Sequence, residues 1–186
     1  MRRSFLTGLF VMCLLRGAAF AEGQQFLQVS AGLGFTFPLV EDTDAGGVGF
    51  YGAAEYIYAP LPYLSLRGYA GLLITATDGD TCAEADPCDV SAQIFFLGGK
   101  VRLMAPIPWF GPFLELGIGL SAGSLVTRVD GLVNERLKGL TYHIPVSLGF
   151  AIGRNHEFEV VLSALYHPAP RNSGGALAVG LSVPLD

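Results

Sequence analysis

Apolar residues recur at every second position through most of the chain. From residue 27, Leu27, Val29, Ala31, Leu33, Phe35 and Phe37 alternate with Gln28, Ser30, Gly32, Gly34 and Thr36. That period belongs to a β-strand with two unlike faces. Seven further segments repeat it: Val48 to Tyr58, Leu64 to Thr75, Phe95 to Leu103, Leu114 to Gly123, Leu140 to Ile152, Phe158 to His167 and Leu177 to Leu185. The stretch Ala92 to Phe96, ahead of the fourth, fits the alternation poorly. No segment carries the 3.6-residue period of a helix. The pattern therefore predicts eight strands.

The links between strands alternate in length. Pro60-Leu61-Pro62, Pro106-Ile107-Pro108-Trp109 and Arg154-Asn155-His156 are short and turn-forming. The other four, roughly residues 40–47, 77–90, 126–139 and 168–174, are longer and more polar. An up-and-down barrel in an outer membrane has short periplasmic turns and longer external loops. With an even number of strands, both termini then fall on the periplasmic side.

Alternation alone does not separate a membrane barrel from a soluble, lipocalin-like barrel with its apolar face inward. The second face decides between them. It consists mainly of Gly, Ser, Thr and Ala with about six charges, which suits a cramped interior and not a water-exposed shell. The apolar face carries no charge in its core positions, and aromatic residues (Phe37, Tyr56, Tyr58, Trp109, Tyr142, Phe158, Tyr166) gather near strand ends, where interface girdles sit. Composition agrees: 51% of the 186 residues are hydrophobic and 15% charged, yet beyond residue 20 no run is long and apolar enough for a membrane helix. The 25 Gly and 11 Pro are offset by 13 Phe and 7 Tyr, which excludes a disordered polymer. The expected fold is an all-β, eight-stranded antiparallel up-and-down transmembrane β-barrel.

The first 21 residues read as a cleaved signal peptide: a basic start at Met1-Arg2-Arg3, an apolar stretch from Phe5 to Leu15, and Ala19-Phe20-Ala21 for the peptidase. Residues 22–186 form the barrel domain. A twin-arginine reading of Arg2-Arg3-Ser4-Phe5-Leu6 conflicts with the need of a barrel to cross the inner membrane unfolded. Cys13 follows Met12, where a lipoprotein site wants a small residue. Cleavage removes Arg2, Arg3 and Arg16 from the 11 basic residues and none of the 16 acids, leaving 8 against 16 and a formal charge of −8. Nucleic acid is thereby excluded as a partner class.

Cys82 and Cys88 stand in the acidic stretch Asp78 to Asp89 and read, in an exported protein, as a disulfide closing a small loop. Asp78, Asp80, Glu84, Asp86 and Asp89 around them lack the Gly-centred spacing of a calcium loop, so a solvated loop is expected, with no metal and no cofactor.

The strand count, the loop alternation and stretches such as Tyr142-His-Ile-Pro-Val-Ser-Leu-Gly-Phe150 resemble the small eight-stranded outer-membrane barrel proteins of the OmpA-like and OmpX-like kind. The resemblance covers the whole mature chain and implies a bacterial outer-membrane location, with outer-membrane lipids, lipopolysaccharide and the barrel assembly machinery as partners, and a monomeric state. One departure stands out. The last strand of such proteins commonly ends in an aromatic residue, whereas this chain ends Val183-Pro184-Leu185-Asp186.

Three functions compete on such a scaffold. For a lipid-modifying enzyme, His143 and Ser147 share the interior face but lie about 13 Å apart along an extended strand, beyond the ~3 Å of proton transfer. His167, beside Pro168 near the outer rim, is the other candidate base, and packing against an aromatic is its expected role. No catalytic residue is expected. A channel is disfavoured because eight strands leave room for little more than their own side chains, although narrow passage of a small apolar solute stays open. A structural, loop-presenting protein in adhesion or envelope integrity ranks first.

The six inward charges are the sharpest expectation: Glu55, Arg67, Lys100, Arg102, Glu115 and Glu159, three acids and three bases. All lie in the half of their strand nearest a short turn. Glu55 and Arg67 are equidistant from Leu61, and Arg102 and Glu115 straddle Pro108-Trp109, so each pair is expected to meet across adjacent strands in a network that plugs the lumen.

Overall fold

The computed structural model describes residues 23–38, 47–76, 89–129, 132–168 and 172–185. The signal segment 1–21, Cys82 and Cys88 lie outside the described residues. The described chain forms eight strands: β1 (Gln24–Pro38), β2 (Gly47–Leu61), β3 (Leu64–Ala76), β4 (Asp89–Met104), β5 (Trp109–Val129), β6 (Leu132–Gly153), β7 (Phe158–His167) and β8 (Asn172–Leu185). Every strand pairs antiparallel with its sequence neighbours, and β8 returns to pair with β1, closing the barrel. Closure removes the exposed edges that an open sheet would present.

The two faces separate as the alternation requires. Val29, Leu33, Leu116, Ile118, Leu162 and Val179 point outward and are at least half exposed, while Gln28, Glu55, Arg67, Glu115, His143 and Glu159 point inward and are buried. Molecules that keep 60% or more of Val29, Leu33 and Ile118 uncovered around a closed wall are built for an apolar surrounding.

The short connections sit at one end. Residues 62–63, 105–108 and 154–157 join β2 to β3, β4 to β5 and β6 to β7. Two of these turns are tied together: the His156 ring donates from Nε2 to the Ile107 carbonyl at 3.1 Å, and the Glu157 carbonyl accepts from Ser182 N at 2.8 Å. Trp109 (φ 69°) and His156 (φ 58°) adopt the left-handed backbone that non-glycine residues rarely take, one at each of these turns.

Two expectations are corrected. Residues 126–139 are not a loop: β5 runs to Val129 and β6 starts at Leu132, with Val126 opposite Arg136 and Leu125 opposite Leu137. The two sides differ: β4 stays paired with β5 as far as Asp89 opposite Arg128, whereas the ladder of β7 with β6 reaches only Ile144. On the β6 side, ahead of Ile144, the hairpin has no second ladder neighbour among the described residues, so pairing with β5 persists there without a regular alternation. The second correction concerns Ala92 to Phe96, which are regular strand. Ala92 and Phe96 face inward, and Phe95 and Leu97 face outward. The alternation is blurred because Ile94 and Phe96, large and apolar, point inward while the polar Gln93 points outward.

Candidate functional site

The lumen holds two chemical layers. Nearest the short turns, the six charged side chains converge although they come from five different strands, β4 supplying both Lys100 and Arg102. Arg102 and Glu115 stand directly opposite in the β4–β5 register, and Arg102 Nε lies 2.6 Å from Glu115 Oε1. Arg102 also holds Glu159 with both terminal nitrogens, the Nη2 to Oε2 distance being 2.6 Å. Arg67 reaches across the lumen to three carboxylates: Glu115 at 2.8 Å, Glu55 at 3.1 Å and Glu159 at 3.2 Å. Lys100 Nζ completes the set, 2.7 Å from Glu115 and 2.8 Å from Glu55. Each carboxylate thus meets at least two cations.

Register and reach both enter. Glu55 faces Tyr69 in the β2–β3 ladder, while Arg67 faces Ile57, so this pair is offset by two residues from the symmetric hairpin. The turn is centred on Pro62 and Tyr63, not on Leu61, which sets the offset, and the long guanidinium side chain spans it. Arg102 further lies over the Phe113 ring, 3.5 Å from its centroid.

Gln28 was not singled out by its residue type, yet it belongs to the network. Its Oε1 accepts from Arg67 Nη2 and from Ser182 Oγ (2.9 Å), and its Nε2 donates to Glu159 Oε2 (3.0 Å). An amide can fill both roles, donor to a carboxylate and acceptor from a guanidinium. Among the described residues Arg67 Nε alone of the basic nitrogens is buried without a hydrogen-bond partner. A cavity of about 820 Å³ opens from the short-turn end, rimmed by Pro60, Pro62, Pro106 and Pro108, and ends on Arg67, Arg102 and Glu159.

Above the charges lies an aromatic layer. Tyr51 stacks on Phe96 with centroids 5.7 Å apart, Tyr69 meets the same ring at 6.1 Å, and Leu73 is fully buried beside them. Beside these rings three polar side chains from β5, β6 and β7 meet, with Ser121 opposite Phe96 in the β4–β5 register and the His143 ring 6.2 Å from that of Phe96. Ser121 Oγ lies 2.8 Å from His143 Nδ1 and 3.0 Å from His167 Nε2, and the far nitrogen of His143 lies 2.7 Å from the Tyr69 hydroxyl. Gly119 makes room for this: a Cβ there would stand 2.3 Å from the Tyr69 hydroxyl and 2.6 Å from the His143 ring.

His143 and Ser147 are not brought together, because Ser147 Oγ bonds Ser163 Oγ instead, at 2.9 Å. His167 does not sit against an aromatic at an open rim; it is buried and bonded to Ser121. The sequence signal for the Ser121–His143 contact was present, since both fall on inward positions of neighbouring strands, His143 opposite Gly119 and Ser121 one inward step further.

No family model matches the chain, and no curated protein sequence matches it. Solved structures do. Neisserial surface protein A (NspA) superposes with a TM-score of 0.58 at 12% identity, covering 87% of this chain and 97% of that one. The fold is that of the small outer-membrane barrels. The outer membrane enzyme PagL aligns at a TM-score of 0.54 and 16% identity over 85% of this chain and 99% of its own. Ail, the attachment invasion locus protein of Yersinia pestis, aligns at 0.51 and 13% over 88% and 100%. An outer-membrane-type barrel can thus carry an enzyme or an attachment protein on one architecture, and at these identities the likeness speaks for the fold alone.

Proposed function

We propose that this protein is an integral barrel of a bacterial outer membrane that acts as a closed scaffold and presents the segments opposite its short turns to the exterior, in adhesion or envelope integrity. Both termini then lie in the periplasm, the surroundings are outer-membrane lipid and lipopolysaccharide, insertion depends on the barrel assembly machinery, and the protein is a monomer. The observation that carries this reading is the pairing of an apolar outer wall with a lumen closed by six interlocked charges and an aromatic layer. NspA and Ail, similar in fold, are by name a surface protein and an attachment protein, which supports the same class.

The channel reading has the vestibule at the short-turn end in its favour, but that vestibule ends on the salt bridges. The enzyme reading has Ser121 at proton-transfer distance from both His143 and His167, yet all three are enclosed, and the vestibule does not reach them. Planar-bilayer recording on the purified protein discriminates. The scaffold reading expects no steady current; a stable single-channel conductance overturns it.

A further inference from the structure

Ser121, His143 and His167 form a cluster that the scaffold reading leaves unused. Two imidazoles on adjacent strands aim a ring nitrogen at one point, and the Ser121 hydroxyl occupies it. Their ring centroids are 5.6 Å apart, and both side chains are buried in the wall of a closed barrel, so their relative placement is fixed by the ladder. His143 is held from behind by the Tyr69 hydroxyl on Nε2. Outer partners of this kind fix ring orientation at metal centres.

From this geometry we propose that His143 Nδ1 and His167 Nε2, with the Ser121 hydroxyl as third donor, form a site for one divalent transition-metal ion of borderline softness, Zn²⁺ or Cu²⁺. Both nitrogens already stand 2.8–3.0 Å from a common oxygen. Metal–imidazole bonds of about 2.0–2.1 Å are met when the two rings and the hydroxyl turn toward an ion seated between the three donor atoms. The donors are neutral nitrogen and oxygen, and the three paired carboxylates of the lumen bind Arg67, Lys100 and Arg102 instead. Such a set favours Zn²⁺ and Cu²⁺ over Ca²⁺ and Mg²⁺, which need several charged oxygens. The donor set is two imidazoles and one hydroxyl, because the described residues hold no group of three His, Cys, Asp or Glu placed to bind a metal.

The test is titration of the full-length mature protein, folded in detergent micelles, with Zn²⁺ by calorimetry and with Cu²⁺ by electron paramagnetic resonance. One equivalent is expected, with a copper spectrum split by two nitrogens. His143→Gln and His167→Gln abolish binding, His156→Gln leaves it intact, and Tyr69→Phe weakens it by roughly tenfold. Ser121→Cys supplies a thiolate in place of the hydroxyl and tightens Zn²⁺ binding, a gain that a misfolded variant does not give. A double Cys82→Ser, Cys88→Ser variant binds as the parent does. The site is overturned if millimolar Zn²⁺ and Cu²⁺ produce no signal, if binding survives in both histidine variants that keep heat-modifiable gel mobility, if Ser121→Cys leaves the affinity unchanged, or if the signal follows His156 or the cysteines.

Discussion

Glycine in this barrel is used in two opposite ways, and substitution separates them. At Gly119 an added Cβ would meet the Tyr69 hydroxyl, the His143 ring and the Leu97 carbonyl, all within 2.6 Å. At Gly68, on the outer wall, it would meet nothing within 4 Å. Gly119→Ala is therefore expected to lower the unfolding midpoint by the ~1–3 kcal/mol of an overpacked interior, while Gly68→Ala stays within about 0.5 kcal/mol of the parent. Urea titration of the folded protein followed by heat-modifiable mobility reads both, and equal effects would remove the distinction. The contacts themselves were only partly legible in the sequence. The six charges could be named because charge on an inward position is rare, and Arg102 with Glu115 could be paired because their turn is nearly symmetric. The bonds from Arg67 to Glu115 and Glu159 could not be, since they cross the lumen between strands that are not neighbours, and curvature is invisible in a linear pattern. Gln28 escaped for a different reason: an uncharged amide on an inward face looks like any other polar filler until its two partners are placed.

Strand existence was legible wherever lipid and lumen imposed unlike faces, and illegible where they did not. The β5–β6 hairpin is the case in point, with ladder pairs continuing through Val126 and Arg136 although the sequence there lost its period. Only its β5 arm is paired on both sides, with β6 and with Asp89 to Ser91 of β4, so the extension contributes little to barrel stability. Replacing residues 126–136 by an Asn-Gly turn, which joins the paired Leu125 and Leu137 through a two-residue hairpin, is expected to leave the folded gel mobility unchanged and to lower the unfolding midpoint only slightly, since the closed barrel loses just the pairs of Asp89, Val90 and Ser91 with β5. A loss of the folded band would make the hairpin part of the folding unit. The same hairpin carries Arg128, Arg136 and Lys138, so trypsin added to intact cells is expected to cut there and to spare the short-turn links. Protection of the hairpin together with cleavage at Arg154 would reverse the proposed orientation. The outer face makes the complementary prediction. Ile118, 65% exposed among apolar neighbours, should not tolerate a charge: Ile118→Arg is expected to cost ~2–4 kcal/mol if the band faces hydrocarbon, and next to nothing if it faces water.

Eight strands enclose a lumen that side chains can fill, and here they fill it with charge at one level and aromatic rings at the next. The two layers fail differently. An ion removed from the network leaves its partners buried and unpaired, so Arg102→Ala or Glu115→Ala is expected to cost ~3–5 kcal/mol. The double variant removes one acid and one base together, keeps the lumen neutral, and is expected to cost less than the sum of the two single changes. Conductance should respond on its own schedule. Tyr51, Phe96 and Leu73 still close the section above the charges, so neither single charge variant is expected to pass a steady current, whereas Arg102→Ala combined with Phe96→Ala opens both levels and is expected to leak. Unfolding midpoints and planar-bilayer currents measured on the same four variants decide the matter. Unchanged midpoints in both single charge variants would strip the network of its stabilising role. A leak from Arg102→Ala alone would make the charge layer the only seal, and the aromatic layer would then be packing without a barrier function.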